Sequence, residues 1–112
     1  MTRKIAALIP DLFFRSKLEP LRKLGWEIDY FARPGAQLAI ADLDAPGVPE
    51  AMDGLGVPIL GYTAHEKVQE WQARLGSRGL AVSRNEFSRR LVELVEGVAK
   101  GAAERKGQDA EC

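Results

Sequence analysis

The sequence predicts an α/β fold, a three-layer sandwich around a mostly parallel five-stranded sheet, and two observations lead to that prediction. Short apolar runs that suit buried strands alternate along the chain with segments of helical periodicity. The first run, Ile5 to Ile9, is opened by Lys4 and closed by Pro10, as expected of a central parallel strand buried on both faces. The order of the elements favours strand order 2-1-3-4-5.

The second element is predicted from apolar spacing and a proline, and the third from alternating side chains. Apolar residues recur at roughly helical spacing from Phe13 to Leu24, but Pro20 would interrupt a helix, so we expect a kink or a helix in two pieces. The stretch from Trp26 to Phe31 alternates apolar and charged side chains, which is typical of an edge strand with one wet face.

The connection to the third strand, Leu38 to Asp42, is unusually short. Too few residues separate the second and third strands for a normal crossover helix, so that helix is expected to be missing or reduced. Two alternatives stay open: the second strand pairs antiparallel, or an extended segment alone makes the crossing.

The remaining elements follow from apolar spacing and from Gly and Pro stops. Ser83 and Glu86 have capping-box spacing and predict the start of the last helix. We predict a short helix over Pro49 to Leu55, a strand over Val57 to Tyr62, a helix over Ala64 to Leu75, a strand over Leu80 to Val82 and a helix from Asn85 to about Lys100.

The length of 112 residues suits a single domain. We expect that domain to span residues 1–100, and residues 101–112 to form a polar tail that frays.

Lys plus Arg equals Asp plus Glu at 16 each, which argues against nucleic acid and anionic membranes as partners. With no apolar run long enough for a bilayer and no signal peptide, we expect a cytoplasmic protein. Cys112 is the only cysteine, so no internal disulfide is possible.

Polar side chains follow four of the predicted strands. In a parallel sheet the carboxyl ends of strands 1, 3, 4 and 5 share one edge, which would bring Asp11, Asp42, Thr63 and Arg84 together. Two carboxylates, a hydroxyl and a cation make a plausible polar pocket there. No Gly-rich phosphate loop follows the first strand, so a dinucleotide site is not expected.

Three segments resemble the CheY-like receiver domain of two-component response regulators. The segment Asp42-Leu43-Asp44-Ala45-Pro46-Gly47 is similar to the phosphoacceptor segment, Tyr62-Thr63-Ala64 to the switch segment, and Leu12-Phe13-Phe14-Arg15 to the start of the first helix. The resemblance extends from Lys4 to about Val98 and implies a flavodoxin/CheY-like fold. It also implies Asp42 at the phosphoacceptor position, with Thr63 and Arg84 at the positions that hold the phosphoryl group.

The same resemblance implies a cofactor and a contact face. A receiver that accepts a phosphoryl group uses Mg²⁺, for which Asp11 and Asp42 are the candidate ligands. Receivers commonly form dimers or contact partner proteins through one face, which here comprises helix 66–75, strand 80–82 and helix 85–100. We therefore expect a protein partner or a homodimer at that face.

Three departures from the family pattern point to an atypical or pseudo-receiver. A single carboxylate, Asp11, follows the first strand where adjacent acidic residues are usual; Arg84 and Asn85 stand where lysine and proline are usual; and one helix is missing or reduced. We expect a stand-alone, non-enzymatic signalling domain without a cofactor, degenerate in phosphorylation and acting by protein association. The alternatives are a Mg²⁺-dependent receiver phosphorylated on Asp42 in a phosphorelay, and a small α/β domain that binds an anion or metabolite.

Each candidate residue also has a purely structural interpretation. Asp42 could cap the turn at Pro46 and Gly47, and Asp11 could cap the first helix. Asp44 is expected to be a solvated loop residue. We also hypothesise a permanent ion pair between Asp42 and Arg84, which would hold the domain in one state.

Overall fold

Five parallel strands form one sheet in the order β2-β1-β3-β4-β5, with every neighbouring pair parallel. The structure is a computed structural model that describes residues 3–31 and 33–111, with side chains described as far as residue 101. The predicted α/β class and strand order are confirmed, and the sheet is entirely parallel. The strands are β1 (Arg3–Leu8), β2 (Trp26–Asp29), β3 (Leu38–Asp42), β4 (Ile59–Thr63) and β5 (Gly79–Ser83).

The first predicted helix is in two pieces, as Pro20 requires. α1 ends at Ser16 and α2 begins at Glu19, which places Pro20 in the first turn of α2, where its missing N–H costs no helical hydrogen bond. The helices are α1 (Leu12–Ser16), α2 (Glu19–Lys23), α3 (Val48–Asp53), α4 (Val68–Leu75) and α5 (Arg84–Glu111), with 3₁₀ turns at His65–Lys67 and Gly76–Arg78.

Helices cover both faces of the sheet and make two apolar layers. On one face, strand residues such as Ile5, Ile40 and Tyr62 pack with Leu18 and Phe87 beneath α1, α2 and α5. On the other face, the small residues of the central strands pack beneath α3 and α4; the buried members there include Ala39, Ala41, Leu43, Met52, Trp71 and Leu75. The two layers account for the near-continuous apolar runs in the sequence.

The connection from β2 to β3 turns at Pro34 and Gly35. Both strands pair parallel with β1, and between Asp29 and Leu38 the described residues contain no helix. On the face that such a helix would cover, β2 carries Glu27, which is exposed, and Asp29, whose carboxylate lies 3.8 Å from the Lys4 ammonium. The exposed Glu27 and the Lys4–Asp29 ion pair make that face polar, so the sheet does not require an apolar helix there.

The last helix begins at the predicted place and ends later than predicted. The Glu86 amide donates to the Ser83 hydroxyl at 3.1 Å, which satisfies a free N–H of the first turn. α5 is kinked at Arg90, whose φ of −123° is not helical, and continues to Glu111, past the expected end near Lys100. Cys112 lies outside the described residues, and fraying of residues 101–112 stays a prediction.

No helix in residues 3–31 and 33–111 combines the length and apolar character needed to cross a bilayer.

Candidate functional site

The carboxyl ends of β3, β4 and β5 meet at one rim of the sheet, as the topology predicts. The pairing register sets Asp42 beside Tyr62 and Thr63 beside Ser83, and Arg84 follows directly as the first residue of α5. Chain segments distant in sequence therefore present a carboxylate, a hydroxyl and a guanidinium at the same edge. This is the edge of an open parallel sheet at which ligands usually bind.

The centre of the rim is the Asp44 carboxylate, two residues beyond the end of β3. One of its oxygens, Oδ1, accepts the Thr63 hydroxyl at 2.8 Å. The other, Oδ2, accepts the backbone N–H of Ala64 at 3.1 Å and the Arg84 Nη2 at 2.7 Å. Both carboxylate oxygens are thus bonded to donors from β4, from the segment after it and from α5.

A second cation completes this arrangement. The ammonium of Lys67, in the 3₁₀ turn after β4, lies 3.9 Å from Asp44 Oδ1. The Asp44 side chain is 19% exposed, whereas the Arg84 and Lys67 side chains are 42% and 53% exposed. The carboxylate is therefore the sheltered member of the group, and Thr63 beneath it is completely buried. We call Thr63, the Ala64 amide, Lys67 and Arg84 the donor cluster.

The neighbouring Asp42 carboxylate has a different role. Its Oδ1 accepts the backbone N–H of Asp44 at 3.1 Å, and the Asp42 carbonyl accepts the amide of Ala45 at 3.2 Å. Asp42 thus fixes the turn that leads out of β3, as the structural interpretation predicts. Burial raises the pKa of the Asp42 carboxyl, and the like charges of Asp44 and Asp11 add to that rise, while the Asp44 N–H and the Arg84 charge oppose it.

Asp11 is the N-cap of α1. Its Oδ1 accepts the backbone N–H of Phe13 at 2.8 Å, and the residue is exposed. The capping role predicted from the sequence is confirmed. Within residues 3–31 and 33–101, no group of three or more His, Cys, Asp or Glu side chains is arranged to hold a metal ion. A metal role for Asp11 and Asp42 stays a prediction.

Tyr62 lies directly beneath the rim. Its ring is stacked on Phe14 and tilted against Phe87, with ring centres 4.7 Å apart in both pairs. The hydroxyl is buried and has no hydrogen-bond partner among the described residues. Burial and the negative charge of Asp42 raise the pKa of this phenol, so the hydroxyl stays protonated.

Two sequence-based expectations about the rim are wrong. Arg84 pairs with Asp44 and not with Asp42, and Asp44 is a bonded, sheltered carboxylate and not a solvated loop residue. The sequence presents two aspartates two positions apart after β3, and nothing in that local pattern says which one meets Arg84. One determinant is the turn that the Asp42 side chain fixes by accepting the backbone N–H of Asp44. Lys67 was not predicted.

The segment that carries Asp44 is anchored by Leu43. This side chain is 2% exposed and packs against the backbone of Gly61 in β4. A Cβ atom at Gly61 would lie 2.7 Å from Leu43 Cγ, so only glycine leaves room for Leu43 at that depth. The burial of Leu43 and the small size of Gly61 together set the position of the adjacent Asp44.

Comparison of the chain with protein-family models, with curated proteins and with solved structures gives no significant match.

Proposed function

We propose that this chain is a receiver-like signalling domain of the response-regulator type that is degenerate in phosphorylation and acts by associating with another protein. The strand order and the meeting of Asp42, Thr63 and Arg84 at one rim support the receiver comparison. The proposal that phosphorylation is lost rests on the hydrogen bonds that the Asp44 carboxylate accepts from Thr63, Ala64 and Arg84.

The physical reason is competition for donors. A phosphoryl group on Asp42 would need the same hydroxyl, amide and cation to neutralise its charge. In this chain Asp44, two residues from Asp42, already accepts hydrogen bonds from these groups. Because Asp44 is part of the same chain segment as Asp42, its effective concentration at the donors is high. The domain therefore stays in one state without a phosphoryl group, which is the behaviour expected of a pseudo-receiver.

The proposed association is with a protein. On the expected face of α4, β5 and α5, Trp71 is buried beneath the Arg74 guanidinium, whereas the exposed Val92 of α5 lies in a groove with Lys17 and Pro20, on the side toward α1 and α2. Other apolar side chains available to a partner lie on or beside α1, at the end of α2 and after β2. Among the described residues these are Leu12, Phe13, Leu24 and Phe31.

A phosphodonor experiment tests the proposal. The full chain is incubated with Mg²⁺ and acetyl phosphate, and its intact mass is measured beside that of Asp42→Asn. We expect no phosphoryl adduct on either chain. An adduct on the native chain that is absent from Asp42→Asn would contradict the proposal and support the phosphoacceptor receiver. A small anion or metabolite that co-purifies with the native chain would instead support the ligand-binding alternative.

A further inference from the structure

We infer that a groove between α5 and the junction of α1 with α2 is a docking site for an acidic amphipathic helix of a partner protein. We call it the α5 groove; it is lined by Lys17, Pro20 and residues 88–93. The inference rests on the proposed function and deepens it, because it gives the surface and the chemistry of the proposed association. It moves the contact from the face of α4, β5 and α5 to the side of α5 that adjoins α1 and α2.

The first support is the apolar part of the groove. The groove has a volume of about 520 Å³, and its lining includes Pro20, which is exposed, and Val92, which is 38% exposed. Phe13, 67% exposed, extends this surface, because the Lys17 ammonium lies 4.7 Å from the centre of the Phe13 ring. Exposed apolar side chains gathered in one place and bordered by charge are typical of a protein contact site.

The second support is the charge of the groove. Arg90 is already neutralised, since it donates to Glu93 at 2.6 Å and to Glu86 at 2.7 Å. Lys17 and Arg89 form no ion pair with the side chains of residues 3–31 and 33–101. The two cations therefore remain available for carboxylates of a partner.

The third support is that the groove is shaped before a partner arrives. α5 is kinked at Arg90, with φ −123° and ψ 25°, and residues 84–96 contain no Pro or Gly to cause the kink. The bonds of Arg90 to Glu86 and to Glu93 join the two parts of the helix across this point. A preformed groove lowers the cost of ordering the contact surface on binding.

These features select the kind of partner. In a symmetric dimer of this chain the groove would meet the groove of the second copy, so the unpaired Lys17 and Arg89 of both copies would share one interface. Like charges brought together in this way weaken association. A helix with an apolar stripe bordered by carboxylates satisfies both the apolar lining and the two cations, and helices commonly bind in grooves of this kind.

The central experiment uses two synthetic helical peptides as probes. Both carry leucine along one face; one has glutamate and the other lysine at the remaining positions. Their binding to the full chain is measured by fluorescence anisotropy at two salt concentrations. We expect saturable binding of the acidic peptide that weakens as salt rises, and binding of the basic peptide that is at least about tenfold weaker.

Charge reversal tests whether the groove is responsible. Lys17→Glu combined with Arg89→Glu should weaken binding of the acidic peptide at least about tenfold and make the basic peptide the tighter binder. Val92→Ser should weaken binding of both peptides, because it removes apolar contact. Lys23→Glu is the matched control for Lys17→Glu: Lys23 is exposed on α2 and does not line the groove, so its effect should be less than about twofold.

A neutral variant covers the case in which the charge-reversed chain does not fold, as judged by circular dichroism. Lys17→Gln combined with Arg89→Gln should also weaken binding of the acidic peptide about tenfold. Failure of the native chain to bind the acidic peptide, equal binding of the two peptides, or unchanged affinity in the folded groove variants would overturn the inference. A native dimer in sedimentation velocity that dissociates on Val92→Ser would also overturn it, because a second copy would then occupy the groove.

The failures of this inference and of the proposed function are distinguishable. Peptide binding leaves the mass of the chain unchanged, whereas transfer from acetyl phosphate to Asp42 adds a covalent phosphoryl group. Absence of binding at the groove would remove this docking site and leave the pseudo-receiver proposal with a contact elsewhere. A covalent adduct on native Asp42 would remove the proposed function and leave the measured peptide affinities intact.

Discussion

At the scale of single residues, two aspartates separated by Leu43 perform different tasks. Asp42 bonds the Asp44 amide and so shapes the turn, while the Asp44 side chain reaches Thr63 and Arg84. Neither task can be read from the local sequence, because both residues are aspartates beside the end of the same strand. The distinction arises from two contacts together, the Asp42 bond to the Asp44 amide and the packing of Leu43 against Gly61.

The ion pair between Asp44 and Arg84 should contribute measurably to stability. In a double-mutant cycle with Asp44→Ala and Arg84→Ala, we expect a coupling energy of ~1–2 kcal/mol, because the carboxylate is sheltered and the bond is charge-assisted. Urea denaturation of the four chains gives the value. The exposed pair Asp53 and Arg78 serves as the control and should couple by ~0–1 kcal/mol. Equal coupling in the two pairs would argue against a special role for Asp44.

The raised pKa of Asp42 predicts how stability depends on pH. Folding raises this pKa above its ordinary value of 3.8, so the native state binds the proton more tightly, and ionisation of Asp42 costs stability as pH rises past 3.8. Asp42→Asn should therefore increase the free energy of unfolding at pH 7, and with it the Tm. The increase should be less than ~1 kcal/mol, since solvent screens the partly exposed carboxylate. The advantage should shrink toward pH 4 in a series of thermal melts. A variant less stable than the native chain at pH 7 would contradict this account.

At the scale of secondary-structure elements, the edge strand β5 is covered by a single side chain from α4. The Gln72 amide nitrogen donates to the Gly79 carbonyl at 3.0 Å, and its oxygen accepts the Ala81 amide at 2.8 Å. The side-chain amide thus takes the place of a neighbouring strand's peptide group. This capping limits the tendency of an open edge to pair with other chains.

Gln72→Ala should expose that edge. We expect a loss of ~1–2 kcal/mol in unfolding free energy, because two backbone groups lose their partner. Hydrogen exchange of the Ala81 amide should accelerate more than that of amides within β4. Gln69→Ala on the exposed side of α4 is the matched control and should leave both quantities unchanged. Unchanged exchange at Ala81 in Gln72→Ala would show that the edge is protected in some other way.

Most of the elements could be predicted from the sequence because their signals are local. Apolar runs give the strands, Pro20 gives the helix break, and the alternation of Trp26 to Asp29 gives an edge strand with a wet face. The predicted strand ends differ from the observed ends by one or two residues, since a pattern of apolar residues does not show where hydrogen bonding between strands stops. The donor cluster could be predicted only in part, because the bonds of Asp44 span 19 to 40 residues.

At the scale of the whole molecule, the edge of the sheet opposite the rim is joined by a separate polar group. Glu96 Oε1 on α5 accepts Arg3 Nη2 at 2.6 Å and Trp26 Nε1 at 3.2 Å, and the Arg3 guanidinium lies 4.0 Å from the centre of the Trp26 ring. These contacts join the amino ends of β1 and β2 to the last helix. They lower the pKa of Glu96, with the Arg3 hydrogen bond as the largest cause.

Glu96→Gln should lower stability at neutral pH and not in acid. A lowered carboxyl pKa contributes stability that is present above the ordinary value of 4.5 and is lost as pH falls through the folded value. We expect a deficit of ~0.5–1 kcal/mol at pH 7 that disappears once pH falls below the folded pKa of Glu96, measured by urea denaturation across pH. Glu70→Gln, at an exposed position on α4, is the control. A deficit that does not change with pH would show that packing, and not ionisation, is responsible.

The central claim is that the Asp44 carboxylate, and not a phosphoryl group, is the acceptor bound by the donor cluster. The most direct measurement follows the amide resonance of Ala64 in the ¹⁵N–¹H spectrum of the native chain during titration with Mg²⁺ and beryllofluoride, a phosphoryl mimic. Our account predicts that this resonance stays in place, because its N–H already donates to Asp44. A saturable shift in the native chain that disappears in Asp42→Asn would contradict the claim.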